Sequence, residues 1–185
     1  AERGGYAEAT AHALLDLAES HLWRGALDEA AALVERVGSL GTEFVNRWRA
    51  DLRSRLISAR LALAQGSLDE ASALAGAVSE DARAASASRY VVLGRLVQAH
   101  SRMAAGEPED LDEVGRLLDR LVEVAGLEAW WLAAEVAAQA GVEGWRVSAE
   151  RHLATLARAA GPYAELLSRR AGARLERTSI TGRSG

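Results

Sequence analysis

The sequence predicts an all-α fold, an α-solenoid of about nine helices arranged as antiparallel pairs. Three stretches carry the same row of leucine, alanine, leucine or methionine, and glycine, 41 and then 40 residues apart. A period of this length is typical of helical repeats that stack on one another. The chain also has only two prolines and is rich in alanine, leucine, arginine and glutamate, which favour helices. The aligned residues are Leu15, Ala18, Leu22 and Gly25, then Leu56, Ala59, Leu63 and Gly66, then Leu96, Ala99, Met103 and Gly106, with a weaker fourth copy at Trp131, Ala134, Ala138 and Gly141.

Glycines and capping residues place the helix boundaries. The predicted helices cover residues 7–24, 27–39, 43–65, 68–79, 81–105, 111–125, 127–140, 144–160 and 163–176. We expect one repeat domain over residues 1–176 and a polar tail over 177–185. Within it the repeats cover 7–39, 43–79, 81–125 and 127–160, followed by the terminal helix 163–176.

The start of each second helix carries a shared acidic signature. A glycine turn is followed by Leu27-Asp28-Glu29 in the first copy and by Leu68-Asp69-Glu70 in the second, and the third copy has a longer turn before Leu111-Asp112-Glu113. Two carboxylates at a helix start are favoured by the helix dipole, so we interpret them as capping residues and not as an acid-base or metal pair. Ser67 with Glu70 predicts a capping box, and Asp110 with Glu113 predicts a similar cap.

The repeated row should form the core, because spacings of three and four residues put its members on one helical face. Small residues in the row leave room for a neighbouring helix to approach. We therefore expect these positions to be buried: Leu15, Ala18, Leu22, Leu56, Ala59, Leu63, Leu96, Ala99 and Met103.

Composition excludes several classes of chemistry. The absence of cysteine excludes disulfides and thiol catalysis, and the absence of lysine excludes a P-loop lysine and Schiff-base chemistry. A net charge of −4 with both signs interspersed indicates a cytoplasmic surface that binds neither nucleic acid nor membrane. No apolar run is long enough to cross a membrane.

The repeat resembles the tetratricopeptide repeat over about residues 11–160. A small residue in the first helix, a glycine seven residues later and Asp-Glu-Ala at the start of the second helix carry the resemblance. The period is longer than in that family, and His21, Ala62 and Arg102 stand where its first-helix aromatic is expected. These departures are similar to repeats near the C-terminal end of large multidomain bacterial regulators, as is the segment 128–135. The resemblance implies a protein-binding helical array within a larger signalling or transcription-regulating protein.

Candidate residues for catalysis are scarce, and we predict that the chain is not an enzyme and needs no metal or cofactor. The four histidines fall at positions without the spacing of a helical metal site. The third predicted helix carries an arginine stripe, Arg49, Arg53 and Arg60, with Arg47, Trp48 and Arg55 nearby, and basic residues interleaved with an aromatic can bind phosphates. Interspersed acidic residues favour a salt-bridged face instead.

A polar row next to the apolar one is the candidate binding surface. Glu19, Arg60, His100 and Glu135 follow the repeated alanines by one residue, on the side that lines the groove in the resembled family. The same row would arise in any amphipathic helix, so both interpretations stay open. Trp23 and Trp130 are candidate anchors, since tryptophan is enriched at interface hot spots, or else pack inside the domain. The expected partner is a peptide or a protein domain, which includes another part of the same full-length protein. The alternative is a small-molecule sensor with a pocket between repeats.

Overall fold

The computed structural model describes residues 2–40, 46–124 and 127–159, and over these residues the chain is all-helical, with no β-strand. The all-α prediction is confirmed. The predicted helix 163–176 and the tail 177–185 lie outside the described residues. The described helices are α1 (Glu2–Arg24), α2 (Leu27–Ser39), α3 (Arg47–Ala64), α4 (Leu68–Ala84), α5 (Ser88–Ala104), α6 (Leu111–Val124), α7 (Leu127–Ala140) and α8 (Glu143–Ala159).

Left-handed glycines end the first helix of every copy. Gly25, Gly66, Gly106 and Gly141 have φ angles of 76°, 80°, 76° and 70°. The Gly66 N–H donates to the Leu63 carbonyl, and the following Ser67 N–H donates to the Ala62 carbonyl. This pair of bonds satisfies carbonyls that the helix end would leave open, and only glycine adopts the required φ without steric cost. The weak fourth copy, marked by Gly141, thus ends its first helix at a glycine of the same conformation.

The predicted boundary between the fourth and fifth helices is wrong. We expected a break between residues 79 and 81, but α4 continues to Ala84 and α5 begins at Ser88. Residues 79–84 contain neither glycine nor proline, so nothing in them stops the helix. The turn is closed by Ser86 at a φ of 55°, with the same two backbone bonds that the glycine turns make.

One of the two predicted caps forms. The Asp110 carboxylate accepts hydrogen bonds from the Asp112 and Glu113 N–H groups at 2.9 and 3.1 Å. Ser67 makes no side-chain cap bond, which corrects the predicted capping box. In the short turns the residue before the second helix is held at a ψ of about 70°, at Ser67 as at Ala26, whereas a capping side chain needs extended backbone. The longer third turn leaves Asp110 free to cap.

The chain divides into two compact units, Ala1–Gly94 and Arg95–Gly185, with the boundary inside α5. In the first unit α1 contacts α2, α3 contacts α4, and α3 also contacts both helices of the first pair. In the second unit α6 contacts α7 and α7 contacts α8. The single repeat domain over residues 1–176 stays a prediction.

The repeated row lies in the core of each unit. Seven of its positions are at most 2% exposed, namely Leu15, Ala18, Leu22, Leu56, Ala59, Leu96 and Ala99. Leu63 and Met103 are only half-buried, contrary to expectation. Both lie in the last turn of their helix, next to the exposed glycine turn.

Candidate functional site

Glu19, the first member of the predicted polar row, is held inside the first unit. Its side chain is buried, and the Arg53 guanidinium donates to both of its carboxylate oxygens at 2.9 and 2.8 Å. The same guanidinium donates to exposed Asp16 at 2.6 Å. Burial alone would lower the pKa of Arg53, but the hydrogen bonds and negative charges of Glu19 and Asp16 outweigh it and raise that pKa above its usual range. Glu19 therefore joins α1 to α3.

Arg60, the second member, is also buried, with 4% of its surface exposed. A substitution at Arg60 would therefore change the packing around α3 in addition to any binding surface that includes Arg60. His100 and Glu135 are half-buried and belong to the second unit, whereas Glu19 and Arg60 belong to the first. That the four residues form one binding surface stays a prediction.

The two candidate tryptophans lie on different helices, Trp23 on α1 and Trp130 on α7. Trp23 is half-buried near the end of α1. Trp130 lies on α7, and its side chain is outside the described part of the chain. Their role as anchors stays a prediction.

Arginines in and beside the predicted stripe of α3 form ion pairs within the first unit, as the salt-bridged interpretation predicted. Arg47 pairs with Asp51 at 2.9 Å, and Arg55 pairs with Asp81 of α4 at 2.5 Å. Arg53 of the stripe pairs with Glu19, so three arginines of α3 are neutralised by carboxylates. Arg49 lies over the exposed ring of Trp48, 5.1 Å from its centroid, a cation-π contact.

A second arginine cluster stabilises the long third turn in the second unit. Arg95 and Arg102 of α5 both reach the carboxylate of Glu109, at 3.6 and 3.4 Å, and the Glu109 side chain is only 3% exposed. Arg95 also pairs with Glu113 at 2.9 Å, and Arg102 with Glu107 at 3.0 Å. The cluster thus ties the turn and the start of α6 to α5, which is a structural role.

Small residues mark where the first helix of one pair meets the second helix of the preceding pair, a feature that the sequence reasoning missed. Gly94 of α5 lies so close to α4 that an added Cβ would stand 2.8 Å from the Ala75 carbonyl oxygen and 3.0 Å from the Ser79 nitrogen. Ser54, 40 residues earlier, occupies the same repeat position on α3 and faces α2. The sequence carries a sign of this contact, because the equivalent repeat positions 13, 54, 94 and 129 all hold small residues, namely alanine, serine, glycine and alanine.

At Ser54 the two helices leave a groove of about 360 Å³. Ser54 Oγ is buried and finds no hydrogen-bond partner among the described residues. The charged groups in the lining, Asp51 and Arg55, are engaged in ion pairs. The groove therefore has an apolar wall on the α2 side and two serine side chains, Ser54 and Ser58, on the α3 side. Its lining residues are Val34, Val37, Gly38, Asp51, Ser54, Arg55 and Ser58.

No group of three histidine, cysteine, aspartate or glutamate side chains among the described residues could hold a metal ion. None of the described helices is long and apolar enough to cross a membrane. Comparisons with models of protein families, with curated proteins and with solved structures found no match to this chain.

Proposed function

We propose that this chain is a noncatalytic protein-binding or regulatory module, an α-solenoid of antiparallel helix pairs similar to tetratricopeptide repeats. In this proposal it belongs to a larger cytosolic bacterial signalling or transcription-regulating protein and binds a peptide or a protein domain. Solenoids of this kind present extended surfaces to their partners.

The recurrence of one helix-helix arrangement at a fixed repeat position carries the proposal. Ser54 of α3 faces α2 across the groove between these two contacting helices, and Gly94 of α5 packs closely on α4, at aligned positions of consecutive pairs. In a solenoid each pair covers the apolar face of its neighbour, so an arrangement that repeats with the sequence period supports stacked pairs. The left-handed glycines at the end of all four first helices support the same architecture.

The chemistry of the described side chains favours binding over catalysis. Two buried carboxylates form structural ion pairs with arginines. Glu19 pairs with Arg53, and Glu109 pairs with Arg95 and Arg102. The other two members of the predicted row, His100 and Glu135, are half-buried and carry polar side chains on α5 and α7. Charge at such positions would set the orientation and rate of association more than the affinity.

The test is a quantitative pull-down from source-cell lysate with the full chain and the Glu135→Arg variant. Gln139→Arg is the matched control, because Gln139 is exposed one turn further along α7. We expect a protein captured by the wild type and the control to be depleted with Glu135→Arg. Equal capture by all three proteins would remove the polar row from the proposal, and capture of no protein would contradict the interaction module.

The groove between α2 and α3 favours a second candidate, the small-molecule sensor. Its volume of about 360 Å³ lies at the small end of the range for ligand sites, and Ser54 and Ser58 supply polar side chains opposite an apolar wall. The ligand would be a small, mostly apolar molecule whose polar groups face the two serines. Native mass spectrometry of the freshly purified chain tests this: a retained mass that is lost in Ser54→Val supports the sensor, and an unliganded wild type contradicts it.

A further inference from the structure

One face of α1 exposes apolar side chains to solvent. Tyr6 is 81% exposed and Leu17 is 48% exposed, and Ala9 and Ala13 between them are exposed as well. Their spacing of three and four residues puts all four on one side of the helix. We call this set of four residues the α1 outer face.

The corresponding face of α3 lies next to α2, which contacts α3. The α3 residues 41 positions after Ala9, Ala13 and Leu17 are Ala50, Ser54 and Ser58. Ala50 is fully buried in the same cluster as Val37 of α2, and the two serines line the groove beneath α2. A position that is exposed on α1 is therefore a helix-helix contact one repeat later.

The same contact occurs a second time, between α4 and α5. Gly94 stands at the repeat position of Ser54, and its neighbours Ala75 and Ser79 stand 41 residues after Val34 and Gly38. The second helix of each of these two pairs shows the same pattern at this place. It has alanine or valine at the first position, valine three residues later, and glycine or serine directly after that valine. The two covering segments are Val34-x-x-Val37-Gly38 in α2 and Ala75-x-x-Val78-Ser79 in α4.

We propose that the α1 outer face binds an amphipathic helix of a partner protein, packed on α1 as α2 packs on α3. The chemistry of the bound helix follows from the two covering helices: alanine or valine, then valine three residues on, then glycine or serine, on an otherwise polar helix. The small Ala9 and Ala13 allow close approach, and Tyr6 and Leu17 supply the apolar area that the helix covers. This surface is separate from the polar row of the proposed function.

The experiment uses the absence of cysteine from the chain. Leu17→Cys places a single thiol on the α1 outer face of the full chain. A copy of residues 27–40, the α2 sequence, is joined to Ala1 through a flexible linker of about ten residues, which keeps the added helix at millimolar effective concentration. We expect alkylation of the Leu17→Cys thiol to slow by about tenfold or more when the added helix is present.

Two controls make the result specific. In the first, the added helix carries aspartate in place of both valines, and the thiol should react as fast as without any added helix. In the second, the thiol is moved to exposed position 80 by Glu80→Cys, where the added helix should change nothing.

Four outcomes would overturn the proposal. The thiol at position 17 could react equally fast with and without the added helix. It could be protected just as well by the aspartate-bearing helix. The parent chain could instead self-associate in sedimentation, with loss of the association in Leu17→Glu, which would show that a second copy covers this face. A fusion that unfolds at lower denaturant concentration than the parent would count against the proposal too, because a helix that matches the face adds buried apolar area.

Discussion

A methyl group on Gly94 would stand 2.8 Å from the carbonyl oxygen of Ala75, closer than a side-chain carbon approaches a backbone oxygen. Both partners are backbone, so neither can rotate away, and α5 would have to move relative to α4. We expect Gly94→Ala to lower the free energy of unfolding by about 1–3 kcal/mol, the usual effect of overpacking. Urea denaturation followed by circular dichroism measures this directly.

Gly38→Ala is the matched control for that experiment. Gly38 also lies in a helix, α2, but an added Cβ would meet no atom within 4 Å. Replacing a helical glycine by alanine in open space raises stability by up to about 1 kcal/mol. Equal losses at Gly94 and Gly38 would show that α4 and α5 do not approach as closely as described.

The left-handed turns give a second prediction, at Gly66. Its φ of 80° is costly for a residue with a Cβ, although the space around it is open. Gly66→Ala should cost about 1–2 kcal/mol. Gly66→Asn should cost less, because asparagine tolerates this conformation. If thermal melts showed alanine to be no worse than asparagine, backbone strain would not be the reason for glycine at this position.

The Asp110 side chain caps its helix, whereas the Ser67 side chain does not. Asp110→Ala removes the acceptor of two backbone N–H groups at the start of α6 and should cost about 1 kcal/mol. Ser67→Ala should be nearly silent, since the Ser67 side chain makes no cap bond. Chemical denaturation of the two variants side by side checks this, and a loss at Ser67 as large as at Asp110 would contradict the turn geometry.

The sequence predicted the parts of this fold that depend on local chemistry. The glycine turns and the buried leucine and alanine positions follow from residue type and spacing, as at Leu56 and Ala59. The sequence-based predictions were wrong where the packing of helices against one another determines the structure. Nothing local distinguishes Ser67 from a capping serine, and the break at Ser86 has no glycine to mark it.

The candidate site was harder to predict than the fold. Amphipathic spacing placed Glu19 and Arg60 next to the apolar row, but it could not show that Arg53 would reach Glu19 from the next pair and that both row members would be buried. The small-residue positions at Ser54 and Gly94 were visible in the alignment, yet their meaning depends on which helices pack together.

The Glu19–Arg53 pair should be costly to break from one side. Arg53→Met leaves a buried carboxylate without its guanidinium and should cost about 3 kcal/mol, at the low end for buried pairs because Arg53 keeps some exposure. Adding Glu19→Gln to Arg53→Met should recover part of the loss, since the amide carries no charge. Asp16→Asn is the control, and its exposed ion pair should be worth at most about 1 kcal/mol. Additive losses in the double variant would show that the two side chains do not interact.

In the first unit α2 packs against α3, whereas the corresponding face of α1 is exposed. The most direct test compares thiol reactivity in Ala9→Cys and Ala50→Cys, two variants at the same repeat position of a chain without cysteine. Ala50 is fully buried under α2, whereas Ala9 is exposed. We expect the thiol at position 9 to react at the rate of an unfolded peptide and the thiol at position 50 to react more slowly by about a hundredfold or more, as protection by a stable fold requires. Equal reactivity at the two positions in the folded protein would show that α2 does not cover Ala50.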